Sequence, residues 1–316
     1  MTYERAGENE SAEEEERARG VLLTGATGLV GGSLLPGLLK RFDVVRTLSR
    51  GGRSDSEVVD ARSWDGVDPG GSALDDVDTV IHLAGEPIFG GLPTASRMER
   101  VRSSRIDSTS RLVDRMLERA RGDRPSTFVC ASAVGFYGDR GDAVLAEDAP
   151  NGEGLLAELC RDWESEAVRA EAGGIRVVRL RIAVVLSAEG GALALMKTPF
   201  KLGVGGRLGS GRQFFPWIHI DDLVRVIFWC LEKPIQGPVN AVAPEAVRNS
   251  EFTRSLASVL RRPAIFPVPG GAIRLALGPI SGELLGSRRV SPDRLVESGF
   301  VFDHPVLRSA LEQEFG

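Results

Sequence analysis

Three glycines spaced three apart, Gly25, Gly28 and Gly31, punctuate the stretch VLLTGATGLVGG, with an apolar run before them and a helical pattern after. In such a setting each glycine has its own task. Gly25 permits a tight turn, Gly28 lets a ligand approach the backbone, and Gly31 lets the helix pack closely on the strand. The N–H groups of Thr27, Gly28, Leu29 and Val30 would then face a pyrophosphate at a helix N-terminus, where free amides and the helix dipole favour an anion. A lone glycine pattern is weak evidence, but this one has the strand–turn–helix context and a matching second strand, which makes it a dinucleotide signature. That second strand ends in RTLSRGGRS, with no carboxylate to receive a ribose 2′-hydroxyl. Ser49 and Arg50 stand there, with Arg53 close by, and a guanidinium suits a 2′-phosphate. The expected cofactor is NADP(H), with NAD(H) possible.

The elements that would position this turn alternate along the chain. Strand patterns occur in GVLLTG, FDVVRTLSR, SEVVDARSWDG, DVDTVIHLAG, STFVCASAVG and IRVVRLRIAVVLS. Between them lie helical patterns: GGSLLPGLLKRF, with Pro36 placed near its start; one long amphipathic helix over ASRMERVRSSRIDSTSRLVDRMLERAR; and GLLAELCRDWESEAVRAEAGG, closed by glycines. The order predicts an α/β fold with a Rossmann-type doubly wound parallel sheet over residues 20–187, with room for a later strand near 239–243. Residues 188–316 are expected to form a smaller C-terminal substrate lobe over the carboxyl ends of the strands, where open α/β sheets bind ligands. The acidic residues 1–19 read as a disordered tail.

Composition narrows the function classes. The 316 residues are 42% hydrophobic and 26% charged with a net charge of −5, ordinary for a globular protein and without the basic footprint of a nucleic-acid partner. No apolar run reaches the ~18 residues of a membrane span. Cys130, Cys160 and Cys230 have neither pairing nor metal spacing, which suits free thiols in a reducing cytoplasm. A small-molecule substrate and a monomer or homodimer are expected, and no metal site.

The motifs TGATGLVG, HLAGEPI, SAVGFYG, CRDWE, GSGRQFFPWIHIDDL and PEAVRNSEF together resemble the atypical extended short-chain dehydrogenase/reductases, and more narrowly the YfcH-like epimerase-family proteins with their C-terminal region. The resemblance runs from about residue 20 to the end. It implies an NADP(H)-binding oxidoreductase or epimerase acting on a small polar, sugar-like or nucleotide-linked substrate. Through HLAGEP it places Leu83, Ala84 and Gly85 along the cofactor, with Glu86 in reach of a ribose or amide. Arg181 and the loop carrying Arg212 and Gln213 would face the substrate.

The wider superfamily moves its proton with a tyrosine and a lysine four residues later. No Tyr-x-x-x-Lys occurs in this sequence. Aligning CRDWE with the usual helix puts Leu156 at the tyrosine position and Cys160, a candidate to line the cofactor, at the lysine position. The expected replacements are Ser132 and Tyr137, polarising the reacting oxygen. Tyr137 would then need a pKa below its usual value near 10, with Arg140 close enough to help. In the second lobe Asp221 or Asp222 is expected to cap the helix after His219. The alternative reading is a catalytically silent NADP(H)-binding sensor or interaction protein.

Overall fold

Apolar runs four to seven residues long become buried strands, and the amphipathic stretches become helices that cover them. The computed structural model describes residues 19–49, 59–89 and 91–315. β1 (Gly20–Thr24) leads through the glycine turn into α1 (Leu29–Leu38), followed by β2 (Val44–Ser49), β3 (Val59–Ser63) and β4 (Thr79–His82). Then come α2 (Ala95–Ser103), α3 (Ile106–Glu118), β5 (Thr127–Ala133), β6 (Val144–Leu145), α4 (Leu155–Val168) and β7 (Arg176–Ile182). β8 (Val184–Leu186), α5 (Gly191–Lys201), β9 (Trp217–His219), α6 (Ile220–Glu232) and β10 (Gly237–Ala241) follow. The chain ends with α7 (Asn249–Val259), α8 (Gly270–Leu277), α9 (Gly282–Leu285), β11 (Arg289–Val290), α10 (Asp293–Glu297) and α11 (Leu307–Phe315).

Seven strands form one parallel sheet in the order β10-β7-β5-β4-β1-β2-β3. This is the Rossmann-type α/β arrangement. The order reverses between β1 and β4, which opens a crevice at their carboxyl ends. Leu34 and Leu38 of α1 and Leu223, Val226 and Ile227 of α6 cover one face. Leu112, Val113 and Met116 of α3 and Leu159 and Trp163 of α4 cover the other. A third apolar cluster joins Trp217, Phe252, Leu256 and Leu311 in the C-terminal region. Among the described residues, no helix is long and apolar enough to cross a membrane.

Four local details depart from the sequence reading. The sixth strand pattern splits: β7 stays in the main sheet, while β8 leaves it to pair with β9. Pro36 falls in the last turn of α1, not the first. His219 caps α6, its Nδ1 accepting from the Asp221 N–H at 3.2 Å; the Asp222 carboxylate instead accepts from the Asp303 and His304 N–H groups, both at 2.8 Å. The long helix breaks in two at Ser104 and Arg105. Serine hydroxyls compete there with the helical ladder: Ser104 Oγ donates to Val101 O at 2.9 Å and Ser108 Oγ to Ser104 O at 2.7 Å.

Candidate functional site

The glycine turn has the geometry that its spacing predicts. Gly25 sits at φ +77°, in the left-handed region. A Cβ on Gly31 would stand 2.2 Å from the Gly25 carbonyl oxygen, so no side chain fits there. At Gly28 a Cβ would meet only that same oxygen, at 3.3 Å, and Thr27 and Gly28 are exposed. α1 starts at Gly28 with no side-chain cap. Its first amides are therefore left for a ligand, with the positive end of the helix dipole behind them.

The strand next door holds this turn. Thr24 Oγ1 lies 2.7 Å from His82 Nδ1 and accepts from the Ala84 N–H at 3.2 Å. Leu83 N–H donates to Thr24 O at 3.2 Å. Leu83 to Gly85 thus run beside the turn at the crevice. His82 is fully buried, and burial together with the charge of Arg105 lowers its pKa to about 4. The Glu86 carboxylate faces Arg97 at 3.5 Å, an ion pair where a reach to ribose was expected. Ser49 ends β2 beside the crevice; Arg50 and Arg53 lie outside the described residues.

The other wall is built from β5, β7, β10 and α4. Ser132, Arg181 and Asn240 are register neighbours across three strands, which sets three polar side chains in one row. Arg181 grips Glu164 of α4 in a two-pronged pair, Nε to Oε1 at 2.8 Å and Nη2 to Oε2 at 2.9 Å. Its Nη1 donates to the Tyr137 hydroxyl at 2.9 Å and to Glu147 O at 3.0 Å. Ser132 Oγ donates to Glu164 Oε1 at 2.7 Å, and the Tyr137 hydroxyl donates to Asn240 Oδ1 at 2.7 Å. The guanidinium of Arg181 also stacks 3.6 Å over the Phe136 ring.

These contacts correct several expectations. Tyr137 has no exposed surface, and burial raises its pKa where proton transfer near neutrality would need it lowered. Arg140 does not reach the hydroxyl but donates to backbone carbonyls, Tyr137 O among them at 3.0 Å. Arg181 is interior and ion-paired, with no substrate-facing edge. Gln213 is buried too, its Nε2 donating to Leu208 O and Leu284 O at 3.0 and 3.2 Å, so it ties the loop to α9. Arg212 remains on the surface. Cys160 is buried on α4, and burial, with Glu283 and Glu164 nearby, pushes its thiol up to about 12.

Between this wall and the C-terminal region lies a cleft of about 200 Å³, lined by Gly135, Gly154, Leu156, Arg274, Glu283 and Arg288. Glu283 pairs with the buried Arg288 at 2.9 Å and points at Gly135, where an added Cβ would meet its Oε2 at 3.4 Å and the Cys160 sulfur at 3.7 Å. The sequence reading missed Glu283, Arg288 and Arg274. Glu283 and Arg288 are five positions apart, no helical or strand spacing joins them, and only the fold carries them to α4.

His219, Asp221 and His304 also come together. The two imidazoles stack 3.8 Å apart at an angle of 31°, and His219 Nε2 lies 2.9 Å from Glu314. Both nitrogens of His219 have protein partners, Nδ1 accepting from the Asp221 N–H and Nε2 facing Glu314. The contacts instead fasten α11 to the start of α6.

Known proteins share the fold of this chain. A family model described as the NAD dependent epimerase/dehydratase family matches residues 21–243, and a domain of unknown function, DUF1731, matches residues 268–314. The epimerase family protein SDR39U1 homolog, chloroplastic, of Arabidopsis thaliana is 37% identical over 304 residues, covering 94% of this chain and 87% of that protein. The crystal structure of human epimerase family protein SDR39U1 (isoform 2) with NADPH matches with a TM-score of 0.81 at 30% identity, covering 93% of this chain and 98% of that one. The nucleoside-diphosphate sugar epimerase of Corynebacterium glutamicum matches with a TM-score of 0.76 at 35% identity, covering 94% of this chain and 58% of that one.

Proposed function

Because the chain belongs to the NAD dependent epimerase/dehydratase family, we propose that it is a cytoplasmic NADP(H)-binding oxidoreductase or epimerase whose substrate is a small polar molecule, sugar-like or nucleotide-linked. The observation that carries this reading is the uncapped glycine turn, where Gly31 admits no side chain and Gly28 leaves the backbone open. The amides of Thr27, Leu29 and Val30 would hold the pyrophosphate, since that of Gly28 already donates to Gly25 O; Leu83 to Gly85 would flank the cofactor, and Ser49 with Arg50 would take the 2′-phosphate. When bound, the cofactor supplies the hydride. The NADPH-bound human relative supports the choice of NADP(H), the sugar-nucleotide epimerase relative supports the substrate class, and three buried free thiols suit a reducing compartment.

The cleft lined by Leu156, Glu283 and Arg274 is the proposed substrate seat. Glu283, held by Arg288, offers a carboxylate oxygen to a substrate hydroxyl and is the proposed proton acceptor. Ser132 and Tyr137 are assigned to positioning: they fix Glu164, Arg181 and Asn240 beneath the seat. Titration with NADPH and NADH, followed by a screen of nucleoside diphosphate sugars for cofactor oxidation or reduction, tests the reading. Tight NADPH binding with turnover that Glu283→Gln lowers by about a hundredfold or more is expected; no binding of either nucleotide sinks it.

One observation favours the second reading, a silent sensor. Leu156 and Cys160 stand where the superfamily keeps its tyrosine and lysine, and Tyr137, the one tyrosine among the described residues, is sealed. Binding of NADPH without turnover on any tested sugar nucleotide or carbonyl compound would select it.

A further inference from the structure

Arg105 stands at the break between α2 and α3 and reaches the segment after β4. Its Nη1 donates to Glu86 O at 2.9 Å and to Val101 O at 3.1 Å, with Ser104 Oγ at 3.4 Å. The guanidinium lies against Gly85, where an added Cβ would stand 3.2 Å from Cζ. Trp163 of α4 lies beyond, its ring 5.3 Å from Cζ. Gly85 itself is exposed, so the side away from Arg105 is open.

All the hydrogen bonds of Arg105 use Nη1. Among the described residues, Nε and Nη2 have no acceptor, and no carboxylate lies within 4 Å of the guanidinium. Three neighbouring guanidiniums do have carboxylates: Arg181 has Glu164, Arg288 has Glu283, and Arg97 has Glu86. Burial works against the charge of Arg105 and the nearby Glu86 carboxylate supports it only at a distance, an arrangement that is costly unless a ligand supplies the acceptors. Its field reaches both sides of the crevice, lowering His82 on β4 and opposing the rise of Cys160 on α4.

We propose that Arg105 supplies, from the α2–α3 break, the fixed positive charge that a lysine at position 160 would have supplied, and that its free Nε–Nη2 edge binds oxygen atoms of the nicotinamide-ribose and diphosphate half of the cofactor. This rests on the NADP(H) reading above. A planar guanidinium presents two parallel N–H groups, which suits paired hydroxyls or phosphate oxygens better than a single ammonium does. Cys160, uncharged and small, leaves the space and the charge to Arg105.

Calorimetric titration of the full chain with NADPH and, separately, with adenosine 2′,5′-bisphosphate separates the two ends of the cofactor. Arg105→Met is expected to weaken NADPH about tenfold or more and to leave adenosine 2′,5′-bisphosphate within about twofold. Arg105→Lys should recover part of the loss. Arg105→Gln keeps a donor for the Glu86 carbonyl, so it replaces the methionine variant should that one fail to fold, with the same loss expected. Unchanged NADPH affinity in the neutral variants, or equal weakening of both ligands, overturns the assignment of Arg105. Failure of the wild type to bind NADPH overturns the cofactor reading itself, and this inference with it.

Discussion

On the β1/β4 side of the sheet's carboxyl edge, the groups offered to a ligand are backbone amides. They are held by Gly25 and Gly31, which have no room for a Cβ. On the β5/β7 side the groups are side chains, and most are used by one another: Ser132, Tyr137, Glu164, Arg181 and Asn240 form one closed network. The first wall leaves backbone amides without protein partners among the described residues, and the second ties its side chains to one another. The absence of Tyr-x-x-x-Lys from this sequence therefore leaves the glycine turn untouched, because the two walls draw on different atoms.

The largest expected effect would break the second wall. Glu164→Ala leaves Arg181 buried without its counter-charge and should cost about 3–5 kcal/mol by urea denaturation. A loss below about 1 kcal/mol would mean that the network is not what holds this wall. Next comes a pH effect under the first wall. His82 is neutral in the folded protein, with its pKa lowered from 6.5 to about 4 by burial and by Arg105. The unfolded chain takes up a proton below about 6.5 and the folded one does not, so this stability is complete above pH 6.5 and is lost as pH falls toward 4. The loss amounts to roughly 3 kcal/mol. His82→Gln should flatten that part of the melting-temperature profile, and an unaltered slope would assign the acid sensitivity elsewhere.

Gly31→Ala sharpens the contrast on the cradle itself. The methyl meets the Gly25 carbonyl, and a cost of about 1–3 kcal/mol is expected together with the loss of NADPH binding. Full affinity in this variant would show that the turn is not the phosphate seat. Tyr137→Phe leaves Asn240 and Arg181 each short of one bond, so about 1–2 kcal/mol of stability should go while NADPH affinity holds. A drop in affinity with no change in melting would move Tyr137 into contact with ligand. Arg212→Ala, on the surface, is expected to stay within ~0.5 kcal/mol in denaturation, with substrate KM as the quantity to watch.

Local sequence carried far on the first wall. Three glycines, two flanking strands and HLAGEP specify φ values, close approaches and neighbouring strand ends, all short-range consequences of residue type. It carried little on the second. Nothing near Arg181 marks it as the partner of Glu164, seventeen positions away, or of the Tyr137 hydroxyl, forty-four away. Gln213 read as a surface residue because Leu284, which it binds, lies seventy-one positions on. Arg105 was hidden inside a periodic helical pattern, since periodicity does not register serine hydroxyls that interrupt the ladder.

The sequence by itself determined the alternating strands and helices, the glycine turn and the absence of Tyr-x-x-x-Lys, because each depends on residue type and spacing alone. The tertiary structure decided which polar groups satisfy one another. Register set Ser132, Arg181 and Asn240 in one row, the return of the chain brought Glu283 and Arg288 to α4, and burial forced those groups to pair. Arg105 bonds only backbone carbonyls and a serine hydroxyl among the described residues, since a half-buried polar group must find a partner and only the fold determines which partners lie within reach.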